Sequence, residues 1–92
     1  MMMMVDSQNY VEPDVCMYID EQLKDLTIEI VLPDVEKENI KLKINAHRLN
    51  VQATSNDRIY LKYTAFCRPV IAEKAKMTYD GELLRIVVPL VR

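Results

Sequence analysis

The sequence predicts an all-β fold, an immunoglobulin-like antiparallel β-sandwich of about seven strands. Apolar residues alternate with polar residues in several short segments, turn residues separate these segments, and no segment carries an apolar stripe at helical spacing over three turns. The chain has 92 residues, half of them hydrophobic and 28% charged, which suffices for one modest core. We therefore expect a short N-terminal tail over residues 1–10 and a single domain over residues 11–92.

The strands of the first half are predicted from their alternation, beginning with residues 15–19. Over residues 26–32, four aliphatic side chains share one face, and Pro33 ends the strand because proline cannot donate a ladder hydrogen bond. Residues 40–45 and 49–53 repeat the pattern. The few residues that separate this pair predict a tight hairpin.

The strands of the second half begin with a long alternating segment over residues 58–67, which is amphipathic on both faces. Residues 72–76 have the composition of one helical turn. Residues 75–79 and 83–88 complete the count, and Asp80-Gly81 between them favours a turn, because glycine accepts a positive φ.

Composition argues against partners other than proteins. The formal net charge is −2 and the basic residues are scattered, so we expect no binding to nucleic acid. No segment has the form of a signal peptide or a membrane span, so we expect no membrane association and a cytoplasmic location.

Cys16 and Cys67 lack metal-ligand spacing and are interpreted as small core residues in a reducing compartment, with a disulfide as the alternative.

Catalytic chemistry is not predicted either. The one histidine, His47, falls in the predicted hairpin turn, and the aspartates fall at strand ends, where they cap backbone N–H groups. A chain whose one glycine is Gly81 cannot form a glycine-rich phosphate loop. We expect no enzyme activity, no cofactor and no metal.

Three segments in a fixed order carry a family resemblance. They are PDVCMYID followed by LTIEIVLPDVEKENIKLKI, then FCRPV at residues 66–70, and YDGELLRIVVP at residues 79–89. Together they resemble the α-crystallin domain of small heat-shock proteins, to which CS-domain co-chaperones are related, over about 80 of the 92 residues. Asp34 stands where the family usually has glycine, Ala72 and Glu73 replace its Leu-Pro, and Gly81 lies one place early.

The resemblance implies a peptide- or client-binding groove between two edge strands. In the family this cleft accepts an apolar Ile-x-Ile segment. Here Leu42, Ile44, Ala75 and Met77 would line it, with methionine adapting to varied partners. The alternative is that these side chains are ordinary core.

The resemblance also implies a homodimer in which the long strand pairs with its own copy. Its contact residues would be Tyr60, Lys62, Thr64, Phe66 and Arg68. The alternative is the protected edge of a monomer, because Lys62 and Pro69 discourage edge pairing. We expect no strand-swapped dimer, since the connection over residues 53–59 is too short, and no large shell, since the family's N-terminal arm and C-terminal extension are not evident.

Two functions follow from the resemblance. The first is that of an ATP-independent chaperone, which binds apolar segments of unfolding client proteins. The second is that of a CS-like adaptor or co-chaperone, which docks on a folded partner ATPase. A third interpretation is a structural piece of a longer protein.

Overall fold

Two four-stranded sheets make up the fold. The computed structural model describes residues 10–92. The first sheet has the strand order β1-β6-β5-β4 and the second the order β2-β3-β8-β7. The strands are β1 (Tyr10–Val11), β2 (Val15–Ile19), β3 (Asp25–Val31), β4 (Ile40–Ile44), β5 (Arg48–Thr54), β6 (Ile59–Ala65), β7 (Lys76–Tyr79) and β8 (Leu83–Pro89).

The all-β sandwich predicted from the sequence is confirmed, with three differences. Strand β1 was not predicted, because two residues show no alternation, and it pairs parallel with β6 whereas all other pairs are antiparallel. Ala75 lies just before β7, and the predicted helical turn is a short 3₁₀ segment, Ala72–Lys74. Of the predicted N-terminal tail, residues 1–9 lie outside the described residues.

The core forms where the alternating apolar residues of the two sheets meet. In the second sheet, Ile28 of β3 pairs with Ile86 of β8 and both side chains are fully buried. The first sheet contributes β5, with Leu49, Val51 and Ala53 buried. Burial of a side chain of this size stabilises the fold by about 1.5–3 kcal/mol. The central strands of both sheets therefore carry most of the apolar burial.

Polar side chains set the hairpin turns as the sequence predicts. The Oδ1 atom of Asn45 accepts hydrogen bonds from the backbone N–H groups of His47 and Arg48, at 2.8 and 3.0 Å. In the turn between β7 and β8, Asp80 accepts from two backbone N–H groups, and Gly81 has a φ of +97°. Both hairpins thus have turn residues suited to their backbone conformation.

Both cysteines are exposed free thiols, so the prediction that they lie in the core is wrong. Cys16 pairs with Glu29 on the outer side of the second sheet, and Cys67 follows the end of β6. Alternation defines two faces of a strand, and Cys16 lies on the opposite face from Val15 and Ile19.

Within residues 10–92, no helix is both long and apolar enough to cross a membrane.

Candidate protein-binding site

The sandwich has two open lateral sides, because each sheet ends in edge strands. An apolar groove connects β2 of the second sheet with the end of β6 in the first. Strands β4 and β7, the opposite edges of the two sheets, therefore lie on the other lateral side. Inward-facing side chains of an edge strand have a neighbour on only one flank, so they are covered incompletely. These two sides are the candidate binding surfaces.

The four predicted groove residues lie on the side formed by β4 and β7. Leu42 and Ile44 face inward, since they pair with the buried residues Val51 and Leu49, and they pack against the core while half-exposed. Ala75 also packs against the core. Met77 pairs with inward-facing Ile86 of β8, yet 45% of its surface is exposed. The four residues share one side of the sandwich, and their binding of a peptide stays a prediction.

Tyr79 fixes the end of β7 on this same side. Its hydroxyl donates a hydrogen bond to the carbonyl oxygen of Leu32 and accepts one from the backbone N–H of Val35, at 3.3 Å. Burial of the phenol raises the pKa of Tyr79, and the nearby carboxylates of Asp34 and Asp80 act in the same direction. The edge strand is therefore tied to the loop that follows β3.

An apolar groove that the sequence did not predict occupies the opposite lateral side. Its volume is about 320 Å³, and its lining is mostly apolar. The inward-facing Met17 of β2 is 38% exposed there, and Phe66 packs against the core from the other wall. The lining residues are Met17, Tyr18, Ile19, Leu26, Ala65, Phe66 and Cys67. The sequence indicated a strand over residues 15–19 but not its edge position or the exposure of Met17, so this groove was not predicted.

The residues predicted to form the dimer contact do not share one accessible face. Tyr60 is 4% exposed and its side chain belongs to the core, and its part in a dimer contact stays a prediction. Lys62 and Thr64 are half-buried on the same inward face, and Phe66 lines the apolar groove. Arg68 is exposed beyond the end of β6. Both faces of this strand carry large apolar side chains, so alternation alone could not show which face is buried.

The backbone edge of β6 is covered only in part. Strand β1 pairs with Ile59 and Tyr60, and no strand of the described chain pairs with the same edge over residues 61–65. Near this edge, the Nζ atom of Lys62 lies 3.3 Å from a carboxylate oxygen of Glu12. A charged lysine on an edge strand discourages pairing with another strand.

Two of the aspartates at strand ends accept hydrogen bonds from backbone N–H groups. Asp20 accepts hydrogen bonds from the backbone N–H groups of Asp25 and Lys24, which lower the pKa of its carboxyl. The pKa of Asp80 is lowered in the same way, by the N–H groups of Leu83 and Glu82. His47 is exposed in its turn. Within residues 10–92, no three His, Cys, Asp or Glu side chains are grouped as metal ligands are.

Comparison with known families decides the classification. The model of the CS domain matches residues 17–89, from β2 to the end of β8. The chain belongs to the CS domain family. A search of curated proteins gave no match to this sequence.

Solved structures similar to this CS domain include heat shock proteins. Heat shock protein 16.0 from Schizosaccharomyces pombe has a TM-score of 0.75 at 14% identity, covering 89% of each chain. A mutant of hsp14.1 from Sulfolobus solfatataricus P2 has a TM-score of 0.73 at 18% identity, covering 90% of this chain and 75% of the other. A second hsp14.1 mutant gives 0.72 and 19%, with 89% and 78% covered. The family resemblance predicted from the sequence is confirmed, and identities this low establish the shared fold alone.

Proposed function

We propose that this CS domain protein is a non-catalytic, ATP-independent molecular chaperone that binds exposed apolar segments of unfolding proteins. The observation that carries the proposal is the incomplete burial of inward-facing methionines, Met17 and Met77, one at each lateral side of the sandwich. Burying such surface against a client is favourable because it removes apolar area from water. A natively folded client hides its own apolar segments and offers nothing to bind.

Extended segments fit the geometry of the β4 and β7 side. Alternate residues of an extended chain point the same way, so they could seat on Leu42, Ile44 and Met77 in succession. Each apolar side chain that is fully buried contributes about 1.5–3 kcal/mol, and much of this is offset by the cost of ordering the segment. The result is weak, reversible capture, which needs no nucleotide to release the client.

A cytoplasmic location accords with the cysteines. Cys16 and Cys67 are free and exposed thiols, and exposed thiols persist in reducing compartments. We place the proposed activity in the cytoplasm for this reason.

A second candidate function is that of an adaptor or co-chaperone which docks on a folded partner ATPase. The match of the CS domain model over residues 17–89 favours it. This function needs one specific surface on a folded partner rather than general affinity for unfolded chains. Isothermal titration with a purified chaperone ATPase would test it, and saturable binding that unfolded protein does not compete away would support the adaptor.

Light scattering of a heat-labile client, with and without this protein and in the absence of ATP, tests the chaperone proposal. We expect suppression of aggregation at several-fold molar excess. Met77→Glu and Met17→Glu should each weaken the suppression, because a carboxylate at the surface opposes apolar binding. Thr78→Glu is the matched control, since Thr78 is exposed and pairs with Arg85 on the outer face of β7. Unchanged aggregation in the presence of the wild-type protein would refute the proposal.

A further inference from the structure

The strongest charge asymmetry in the chain lies between its two sheets. Between Glu38 and Glu73 the one acidic residue is Asp57, which belongs to the loop between β5 and β6. The same stretch contains the basic residues Lys41, Lys43, Arg48, Arg58, Lys62 and Arg68. The remainder of the chain is rich in Asp and Glu, so a net charge of −2 conceals a basic first sheet and an acidic remainder.

Part of this positive charge is concentrated on the outer face of β4 and β5. Lys41 pairs with Gln52 and Lys43 with Asn50, while the residues between them face the core. These four side chains line a depression of about 280 Å³. We call the outer surface formed by Lys41, Lys43, Arg48, Asn50 and Gln52 the cationic face. No acidic residue occurs in β4, β5 or β6, and within residues 10–92 neither Lys41 nor Lys43 forms an ion pair.

The end of the cationic face is held in place by a tyrosine. Arg48 donates a hydrogen bond to the hydroxyl of Tyr63 on β6, and its guanidinium carbon lies 5.7 Å from the ring centroid. Tyr63 is 58% exposed and its neighbour Leu61, two residues away on the same face, is 44% exposed. The cationic face therefore adjoins apolar surface as well as positive charge.

We propose that the cationic face docks an acidic, extended polypeptide segment of a partner protein. Ammonium and carboxamide N–H groups donate hydrogen bonds, and carboxylate oxygens accept them. Lys41 and Lys43 are two residues apart on one strand, so about 7 Å separates them, which is the spacing of alternate side chains in an extended peptide. Acidic residues at alternate positions would meet the two lysines, and an apolar residue beside them would reach Leu61 or Tyr63.

The dimensions and charge of the surface favour a short acidic peptide over a nucleic acid. A nucleic acid gains its affinity from many phosphate contacts along a continuous basic track. Here the positive charge covers one face of a small sheet, and the rest of the molecule would repel a longer polyanion. This proposal is independent of the apolar lateral sides, because the cationic face lies on the opposite surface of β4 from Leu42 and Ile44.

Fluorescence anisotropy with a short labelled peptide that alternates glutamate and leucine tests the proposal, using the full chain. The charge-reversed variant K41E/K43E should weaken binding about tenfold or more, which corresponds to about 1.4 kcal/mol. The matched control K74E/K76E changes the net charge equally at exposed lysines of the other sheet and its preceding turn, and should bind like the wild type. A peptide with glutamine in place of glutamate should bind poorly, and added salt should weaken the glutamate peptide.

Three results would overturn this assignment. Equal weakening in K41E/K43E and K74E/K76E would mean that the attraction is general and not local to the cationic face. Tighter binding of a single-stranded oligonucleotide than of the acidic peptide would make nucleic acid the partner. Self-association that disappears in K41E/K43E, without any peptide binding, would make the acidic half of a second copy the occupant.

Discussion

The hydroxyl of Tyr79 at the end of β7 donates a hydrogen bond to the carbonyl oxygen of Leu32, which follows β3. Strand β8 lies between β7 and β3 in the second sheet, so this bond spans an intervening strand. The same hydroxyl accepts a hydrogen bond from the N–H of Val35, which is buried. One phenol thus joins an edge strand of the candidate binding side to the loop between the sheets.

Replacing this hydroxyl should destabilise the fold without changing its shape. Tyr79→Phe keeps the ring but leaves the Leu32 carbonyl and the Val35 N–H without their partner. We expect a loss of about 1–3 kcal/mol in the free energy of unfolding, measured by urea denaturation. Tyr18→Phe removes an exposed hydroxyl, which has a long 3.4 Å contact to Glu29, and serves as the control with little change. Equal stability of wild type and Tyr79→Phe would show that the two hydrogen bonds contribute nothing.

The two turn aspartates should make stability depend on acid pH. Backbone N–H groups lower the pKa of Asp20 and of Asp80 in the folded state. A carboxyl whose folded pKa lies below its unfolded value of about 3.9 stabilises the fold above that pH. The contribution disappears as pH falls through the folded pKa.

Asparagine variants isolate this effect, because asparagine keeps an oxygen acceptor but cannot ionise. Urea unfolding from about pH 6 down to about pH 2 should show a shallower loss of stability for D20N/D80N than for the wild type. Asp14→Asn, at an exposed aspartate outside both of these turns, is the control. Identical pH profiles for wild type and D20N/D80N would contradict the assignment.

The turn between β7 and β8 depends on the one glycine. Gly81 has a φ of +97°, and a Cβ atom built there would meet no other atom within 4 Å. Gly81→Ala should therefore cost about 1–2 kcal/mol through backbone conformation alone, without steric overlap. Urea denaturation measures this loss, and an alanine variant as stable as the wild type would show that the turn adopts another conformation.

The homodimer predicted from the long strand is tested at the edge of β6. Residues 61–65 are the segment of this strand that β1 leaves uncovered. If two copies pair there, amide hydrogen exchange over residues 61–65 should slow as protein concentration rises. Exchange in β5, which already has a strand on each side, is the internal control. Exchange in β6 that is independent of concentration, with a monomer by sedimentation velocity, would rule out the edge dimer.

The sequence was sufficient for the fold because period-two alternation marks each central strand. Leu26, Ile28 and Ile30 occupy one face of β3 in the sequence and are buried on one face in the structure. The turn between β4 and β5 followed from its short connection, and the turn between β7 and β8 followed from Asp80 and Gly81, which suit particular backbone conformations. These strands and turns depend on residues that are close in sequence, so the sequence alone predicts them.

The surfaces were harder to predict because they depend on how two sheets are placed together. Tyr60 and Tyr63 both lie on β6, and only packing against the second sheet makes Tyr60 core and Tyr63 surface. The groove beside Met17 and Phe66 joins two strands that are far apart in sequence. The cationic face likewise requires the register of β4 and β5, which places Arg48, Asn50 and Gln52 of β5 on the same surface as Lys41 and Lys43 of β4.

The central claim, that apolar segments bind at the lateral sides of the sandwich, is tested most directly by amide NMR spectroscopy. The protein would be titrated with a permanently unfolded client polypeptide and, separately, with the same client in its native fold. We predict chemical-shift changes from the unfolded client alone, concentrated in β4 and β7 or around Met17 and Phe66. No shifts with the unfolded client, or equal shifts with the native one, would contradict the account.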